Sequence, residues 1–269
     1  EYCDSGYTIL NKILSGGIQK NNFTLICARP GMGKTVFMLN QALNSAINGQ
    51  KTLFLSIEMS IEQCMQRILS NISKVKLEDI LQPENLSESD LEHLKYTAKT
   101  KVKSFGDNLF IEEVDRLTTS ELESKIKYYK KHLGVELIFV DYVQIMSTKN
   151  GTKPKDEADF REISGDLREM TKRHKVAVVL GSQLSRKVEE RENKRPMDSD
   201  LRNSGSFEQD ACTIIHLYRD SVYNKDTEEK NVLEVIFGKN RFGTSNVTVK
   251  LPYDYSTQTI FTTPVTQVA

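Results

Sequence analysis

A charge of one sign is the first thing this chain lacks. Its 37 Lys and Arg balance its 37 Asp and Glu. Composition therefore gives no sign of nucleic-acid binding, and any such binding has to come from local patches. No apolar run approaches the roughly 20 residues of a membrane span, so no membrane partner is expected. The four cysteines, Cys3, Cys27, Cys64 and Cys212, show no CxxC spacing. That argues against zinc and against a disulfide framework. Cys27 and Cys212 sit in apolar, strand-like runs, and the set reads as buried free thiols in a reducing cytosol. His93, His132, His174 and His216 are scattered without ligand spacing and read as structural. Internal repeats and low-complexity tracts are missing. So are a starting Met and any signal-peptide pattern at Glu1-Tyr2-Cys3-Asp4. The chain reads as a piece of a longer, cytoplasmic protein.

What is present fits one folded enzyme-sized unit. At 38% hydrophobic and 28% charged residues, wholesale disorder is excluded. A length of 269 residues suits a single α/β domain over 1–269 with a large core. Apolar runs and amphipathic stretches alternate, as in a mainly parallel sheet with helices on both faces. Phe23–Cys27, Lys51–Ile57, Leu109–Ile111, Leu137–Val140, Val176–Leu180 and Thr213–Leu217 read as strands. Ser60 with Gln63 makes a capping box for a helix with Ile61, Met65, Ile68, Leu69 and Ile72 on one face. Ser87 opens a helix with Leu91, Leu94, Ala98 and Val102 inward, and Thr119 caps one carrying Leu122, Ile126 and Tyr129. Phe160, Ile163, Leu167 and Met170 mark a longer helix. Val232–Phe237 and Asn246–Leu251 alternate like a C-terminal β-hairpin around Lys239-Asn240-Arg241-Phe242-Gly243. Two loop-like stretches, 147–155 and about 185–206, are long for connectors, and long loops on a rigid sheet often carry function.

The strongest motif is Ala28-Arg29-Pro30-Gly31-Met32-Gly33-Lys34-Thr35, set between a strand and a helix. That is the context of a phosphate-binding P-loop. Gly31 and Gly33 let backbone N–H groups turn inward around phosphate oxygens. Lys34 can reach β- and γ-phosphates, and the Thr35 hydroxyl can ligate Mg²⁺. Asp141 ends an apolar strand, where a Walker B aspartate would hold Mg²⁺ through water. Glu58 ends the second strand beside the phosphate site. It reads either as a general base for water or as a first-turn acid drawn to a helix dipole, and spacing does not separate the two. Gln183 follows a core strand and could contact a γ-phosphate or cap the strand end. Lys239 and Arg241 stand at the hairpin tip with no acid nearby in sequence, suited to phosphate contact or to plain solvation. Lys149 and Lys153 lie in a loop with three lysines and no acid. Lys194, Arg202, Asn203, Ser204 and Gly205 lie in the second long loop. Both loops suit contacts to a phosphodiester chain without base reading. No aromatic interleaving marks a stacking platform.

In order along the chain, these segments resemble the C-terminal motor domain of DnaB-type replicative helicases, a RecA-like family. The resemblance is carried by the P-loop, Leu55-Ser56-Ile57-Glu58-Met59-Ser60, Val140-Asp141-Tyr142-Val143-Gln144-Ile145-Met146 and Ser182-Gln183-Leu184-Ser185-Arg186. It continues through Lys194-Arg195-Pro196-Met197, Asp200–Ala211 and Gly238-Lys239-Asn240-Arg241-Phe242-Gly243. It covers about Gly6 to Tyr255, and the family's own P-loop begins with Ala. Asn203 stands where the family usually has Glu. The resemblance implies a RecA-like P-loop NTPase that hydrolyses ATP with Mg²⁺ and moves along single-stranded DNA as a homo-hexameric ring. It implies that Glu58 activates water and Gln183 senses the γ-phosphate. Lys239 and Arg241 would act in the neighbour's site, and the loop around Arg202 to Gly205 would line the pore. The family's N-terminal helical domain, with its link to primase and to a helicase loader, is not expected within this chain. The readings that compete with it are a RecA/RadA-like filament-forming strand-exchange ATPase and a P-loop loader or signalling ATPase.

Overall fold

The computed structural model describes residues 1–201 and 205–268. Six strands form its parallel centre: β1 (Asn22–Ala28), β2 (Thr52–Ser56), β3 (Leu109–Glu113), β4 (Leu137–Asp141), β5 (Ala177–Gln183) and β6 (Thr213–Tyr218). They run side by side in the order β6-β1-β5-β4-β2-β3. Beyond β6 the sheet turns antiparallel through β7 (Val232–Asn240), β8 (Val247–Asp254), β9 (Thr259–Ile260) and β10 (Thr266–Val268). The result is a ten-stranded sheet, the expected mainly parallel α/β architecture with a C-terminal hairpin.

Side-chain alternation explains why the strands are apolar throughout. Ile26 and Ala28 of β1 face one core, while Phe23, Leu25 and Cys27 face the other. Leu137 and Phe139 of β4 split from Ile138 and Val140 in the same way. Each buried Leu, Ile, Val or Phe among them contributes about 1.5–3 kcal/mol. The first face is covered by α1 (Lys34–Ile47), α2 (Ile61–Ser73) and the end of α3 (Glu88–Phe105). The second is covered by α4 (Thr119–Leu133), α5 (Glu157–His174) and α6 (Gly205–Asp210). All four cysteines are free and buried. No helix among the described residues is long and apolar enough to cross a membrane.

Several local expectations hold and several shift. The Ser60–Gln63 capping box is present, and the Ser87 hydroxyl accepts from the Asp90 N–H. The cap of α4 is Thr118, in a box with Glu121, and Thr119 is instead the first helical residue, buried. Two adjacent threonines compete for the position, and Thr118 has Glu at the third position needed to close the box. In α3 the inward stripe is Leu94, Thr97 and Phe105, while Leu91 and Ala98 are exposed. That helix touches α2 along a narrow seam, so one small polar residue suffices where a wider apolar face was expected. The described part of the stretch 185–206 is not a free loop. It holds single turns at Arg186–Glu190 and Asp198–Asp200 and the start of α6. It is tied down by Arg191 on Asp200, Arg195 on the buried Glu234, and His216 on Asp198, at 2.7, 2.6 and 2.6 Å.

Candidate active site

Strand register assembles the site. Ala28 lies opposite Gln183, and Ser56 lies opposite Asp141. Four parallel strands therefore deliver the P-loop, Gln183, Asp141 and Glu58 to one carboxyl edge, where ligands bind in such sheets. They surround a cavity of about 390 Å³ lined by Ala28 to Gly31, Gly33 to Val36, Glu58, Gln183 and Tyr142 on the strand side. Met59, Arg67, Tyr253, Tyr255 and Gln258 close the far side.

The P-loop backbone is preset for an anion. Gly31 and Gly33 have φ of 79° and 95°, and a Cβ on Gly31 would meet nothing within 4 Å. Backbone sign, not space, thus calls for glycine there. Gly33 caps α1 without a side chain, so the first-turn N–H groups stay available. Met32 is buried in the core and anchors the loop. Arg29 donates to the Leu184 carbonyl and to Glu189 at 2.9 and 3.0 Å, fixing the loop to the segment after β5.

Asp141 is the electrostatic centre. It is 1% exposed. Lys34 Nζ lies 2.7 Å from one carboxylate oxygen, and the Thr35 hydroxyl donates to the other at 2.5 Å. Lys34 also stacks over the Tyr142 ring, 4.1 Å from its centroid. Burial, with the Glu58 and Asp141 carboxylates close by, pushes the Tyr142 hydroxyl above its ordinary pKa. Among the described residues no group of three or more His, Cys, Asp or Glu converges as a metal cage. The hydroxyl and carboxylate pair of Thr35 and Asp141 is nevertheless the hard-oxygen donor set that Mg²⁺ takes when it keeps several waters. Glu58 is exposed at the cavity wall, open to solvent as a water-activating base would be.

Sequence reasoning missed several contributors. A Cβ on Gly181 would meet Asp141 Oδ1 at 2.7 Å and Lys34 Nζ at 3.2 Å. Glycine in β5 thus makes room for the ion pair, and a lone glycine inside an apolar strand was the available signal. Gln144 clamps Gln183: its amide oxygen accepts from the Gln183 N–H at 3.1 Å, and its amide nitrogen donates to Ser182 and the Gln183 carbonyl at 2.9 and 3.2 Å. Nothing local in sequence marks that pairing across 39 residues. Tyr253 and Tyr255 come from the C-terminal hairpin, too far along the chain for spacing to suggest a shared pocket.

The hairpin cations sit elsewhere. Lys239 belongs to β7 itself and only Arg241 begins the turn. Asn240 is level with Thr213, which is level with Thr24. That is four residues short of Ala28, roughly 13 Å toward the opposite edge of the sheet. They are also not without partners within the chain. Lys239 Nζ donates to the carbonyls of Glu208 and Gln209 at 2.5 and 3.0 Å, and Arg241 to Gln209 at 2.5 Å. The final carbonyls of α6 thus receive both cations, which form no ion pair with an acid among the described residues. Burial, then Arg241, holds the Lys239 ammonium below the usual lysine range.

The helices that follow the two long loops pack together. A Cβ on Gly205 would lie 3.2 Å from Glu157, the first residue of α5. Ser164 and Arg168 of α5 bind Asp210 of α6 at 2.7 and 3.4 Å. Lys149 and Lys153 are exposed just before α5. Lys194 is half-buried, with Nζ donating to the Arg191 carbonyl at 3.2 Å, so its charge faces inward. The expected contacts of Arg202, Asn203 and Ser204 lie outside the described residues.

Comparison with known proteins agrees with this geometry. The family described as DnaB-like helicase C terminal domain matches residues 3–262. The replicative DNA helicase DnaB of Pasteurella multocida is 39% identical over 241 residues, 89% of this chain and 51% of that protein. A solved DnaB-like replicative helicase, described with its interactions with primase, superposes with a TM-score of 0.87 at 33% identity, covering 97% of this chain and 61% of that one. A solved ATPase domain does so with the same score and identity over 97% of this chain and 90% of that one. The chain spans about half the length of the helicase relatives it matches.

Proposed function

The chain belongs to the DnaB-like helicase C-terminal domain family, and on that premise we propose that it is the motor of a replicative helicase, a ring of six that hydrolyses ATP and moves along single-stranded DNA. One observation carries the enzymatic part: a glycine-shaped phosphate loop whose Lys34 and Thr35 both meet the buried Asp141, beside the exposed Glu58. Lys34 and the P-loop N–H groups hold the β- and γ-phosphates. Thr35 and Asp141 would hold Mg²⁺, which would supply positive charge to offset that of the phosphates. Glu58 takes the proton of the attacking water. Gln183, kept in place by Gln144, faces the γ-phosphate and carries its loss to the strap that begins at Ser185. Lys239 and Arg241 lie on the far edge from their own P-loop and so serve a neighbour's. DNA contacts come from Lys149 and Lys153 and from the Arg202 to Gly205 segment. Primase and a loader are partners of the longer protein, in the cytoplasm.

The test of the active-site reading is Glu58→Gln. It keeps the size and the cavity but cannot accept a proton. Binding of a fluorescent ATP analogue should stay within about twofold, while turnover falls by roughly 10²–10⁴. Binding and turnover falling together would make Glu58 structural. For the DNA path, Lys149→Ala with Lys153→Ala should weaken single-strand binding equally on all sequences. The log–log salt slope should flatten by roughly 0.7 per lost contact. An unchanged slope moves the path off this loop.

A further inference from the structure

The far wall of the cavity is built by one buried amide. Gln258, 2% exposed, sits in the turn between β8 and β9 with φ of 54°. Its amide oxygen accepts from Arg67 of α2. Its amide nitrogen donates to the Tyr255 carbonyl at 2.6 Å. Its main-chain carbonyl accepts from Asn40 of α1 and Asn71 of α2 at 2.9 and 3.2 Å. Asn71 in turn donates to Asn40 at 2.8 Å, and Asn40 accepts from the Ile260 N–H at 3.0 Å. One residue, through its side chain and its main-chain carbonyl, thus joins the P-loop helix, the helix after Glu58 and the hairpin that carries the tyrosines.

That junction holds a planar wall. Tyr255 is 63% exposed and lines the cavity. Tyr253 packs against Gly33, 3.6 Å from where its Cβ would be. Arg219 lies over both rings, at 4.8 and 5.5 Å, and donates to the Gly31 carbonyl at 3.4 Å. Arg67 also lies against Val36 and Asn40, beside the first turns of α1. With phosphates on the P-loop, aromatic rings and a guanidinium beside the following turn face the nucleoside end of the ligand. Flat π-faces and a planar cation suit a base.

We infer that Gln258 is a positioning residue for the nucleoside half of the nucleotide, aiming Arg67 and fixing Tyr255. This rests on the proposed nucleotide site. It explains a fully engaged amide in a backbone region that favours glycine, since only a side chain with both an acceptor and a donor meets Arg67 and the Tyr255 carbonyl together.

The experiment measures ATP and inorganic tripolyphosphate affinity on the same samples of this chain. Gln258→Met keeps the volume and the main-chain bonds from Asn40 and Asn71 but loses both amide contacts. ATP affinity should fall about tenfold, the scale of one charge-assisted hydrogen bond, while tripolyphosphate affinity stays within about twofold. Gln258→Glu keeps the acceptor for Arg67 but not the donor to the Tyr255 carbonyl, and should recover part of the ATP affinity. Partial unfolding weakens both ligands alike and so leaves their ratio unchanged. Unchanged ATP affinity in Gln258→Met, or equal loss for both ligands, overturns the positioning role. If the unsubstituted chain binds neither ligand, the nucleotide site itself is wrong.

Discussion

Lys34→Ala should abolish measurable ATP turnover and lower the melting temperature, and the two expected effects have separate causes. The first follows from lost charge at the β- and γ-phosphates. Removing a single donor from a preorganised site typically costs about 10²–10³ in rate, and a full cation in a closed phosphate loop sits at or beyond that range. The second follows from the fold. Lys34 lies 2.7 Å from Asp141, which is 1% exposed. Without Lys34 the carboxylate keeps the Thr35 hydroxyl and loses its countercharge. Breaking one side of a buried pair costs about 3–5 kcal/mol. For a chain of this size that lowers the melting temperature on the order of 10 °C. The double variant Lys34→Met with Asp141→Asn separates the two. It removes both charges, so most of the melting temperature should return while turnover stays lost. Turnover near normal in Lys34→Ala, measured below its melting temperature, would sink the P-loop assignment.

The same pair shows what sequence could and could not reveal. The P-loop was legible because strand, glycines, Lys34 and Thr35 are contiguous and their geometry is local. An acid closing an apolar strand is as often an ordinary turn starter, and Asp141 stood out in sequence only because a P-loop accompanies it. Gly181 sits in plain view within β5, but its purpose is a clearance beneath Lys34 and Asp141 that only the sheet order creates. Gln144 and Gln258 act through contacts 39 and 191 residues away. No periodicity encodes such pairings. The fold class was readable because buried parallel strands are apolar on both faces. Helix caps were readable to within one residue, with Thr118 displacing Thr119. The strap over β6 and β7 looked like loop because its hold is polar, through Arg191, Arg195 and Asp198, and charged sequence reads as solvated.

Activity of this chain should rise steeply with protein concentration, and an Arg241→Ala variant mixed with a Lys34→Ala variant should regain turnover that neither has alone. The reason is position. Asn240 lies level with Thr24 across β6, so Arg241 points from the edge of the sheet opposite its own P-loop. Within the chain its guanidinium rests on the Gln209 carbonyl, and Lys239 beside it holds Glu208 and Gln209. Those hydrogen bonds offer no countercharge, so a neighbour's γ-phosphate is the better partner for both cations. A finger supplied in trans contributes roughly 10³–10⁵ in turnover, so a lone chain should bind ATP yet hydrolyse it slowly. In the mixture, some interfaces pair an intact Lys34 with an intact Arg241 from the next subunit, and only those turn over. Native mass measurement establishes that mixed assemblies form. If they form and remain inactive, Arg241 acts within its own chain or takes no part in hydrolysis, and the ring reading loses its catalytic support.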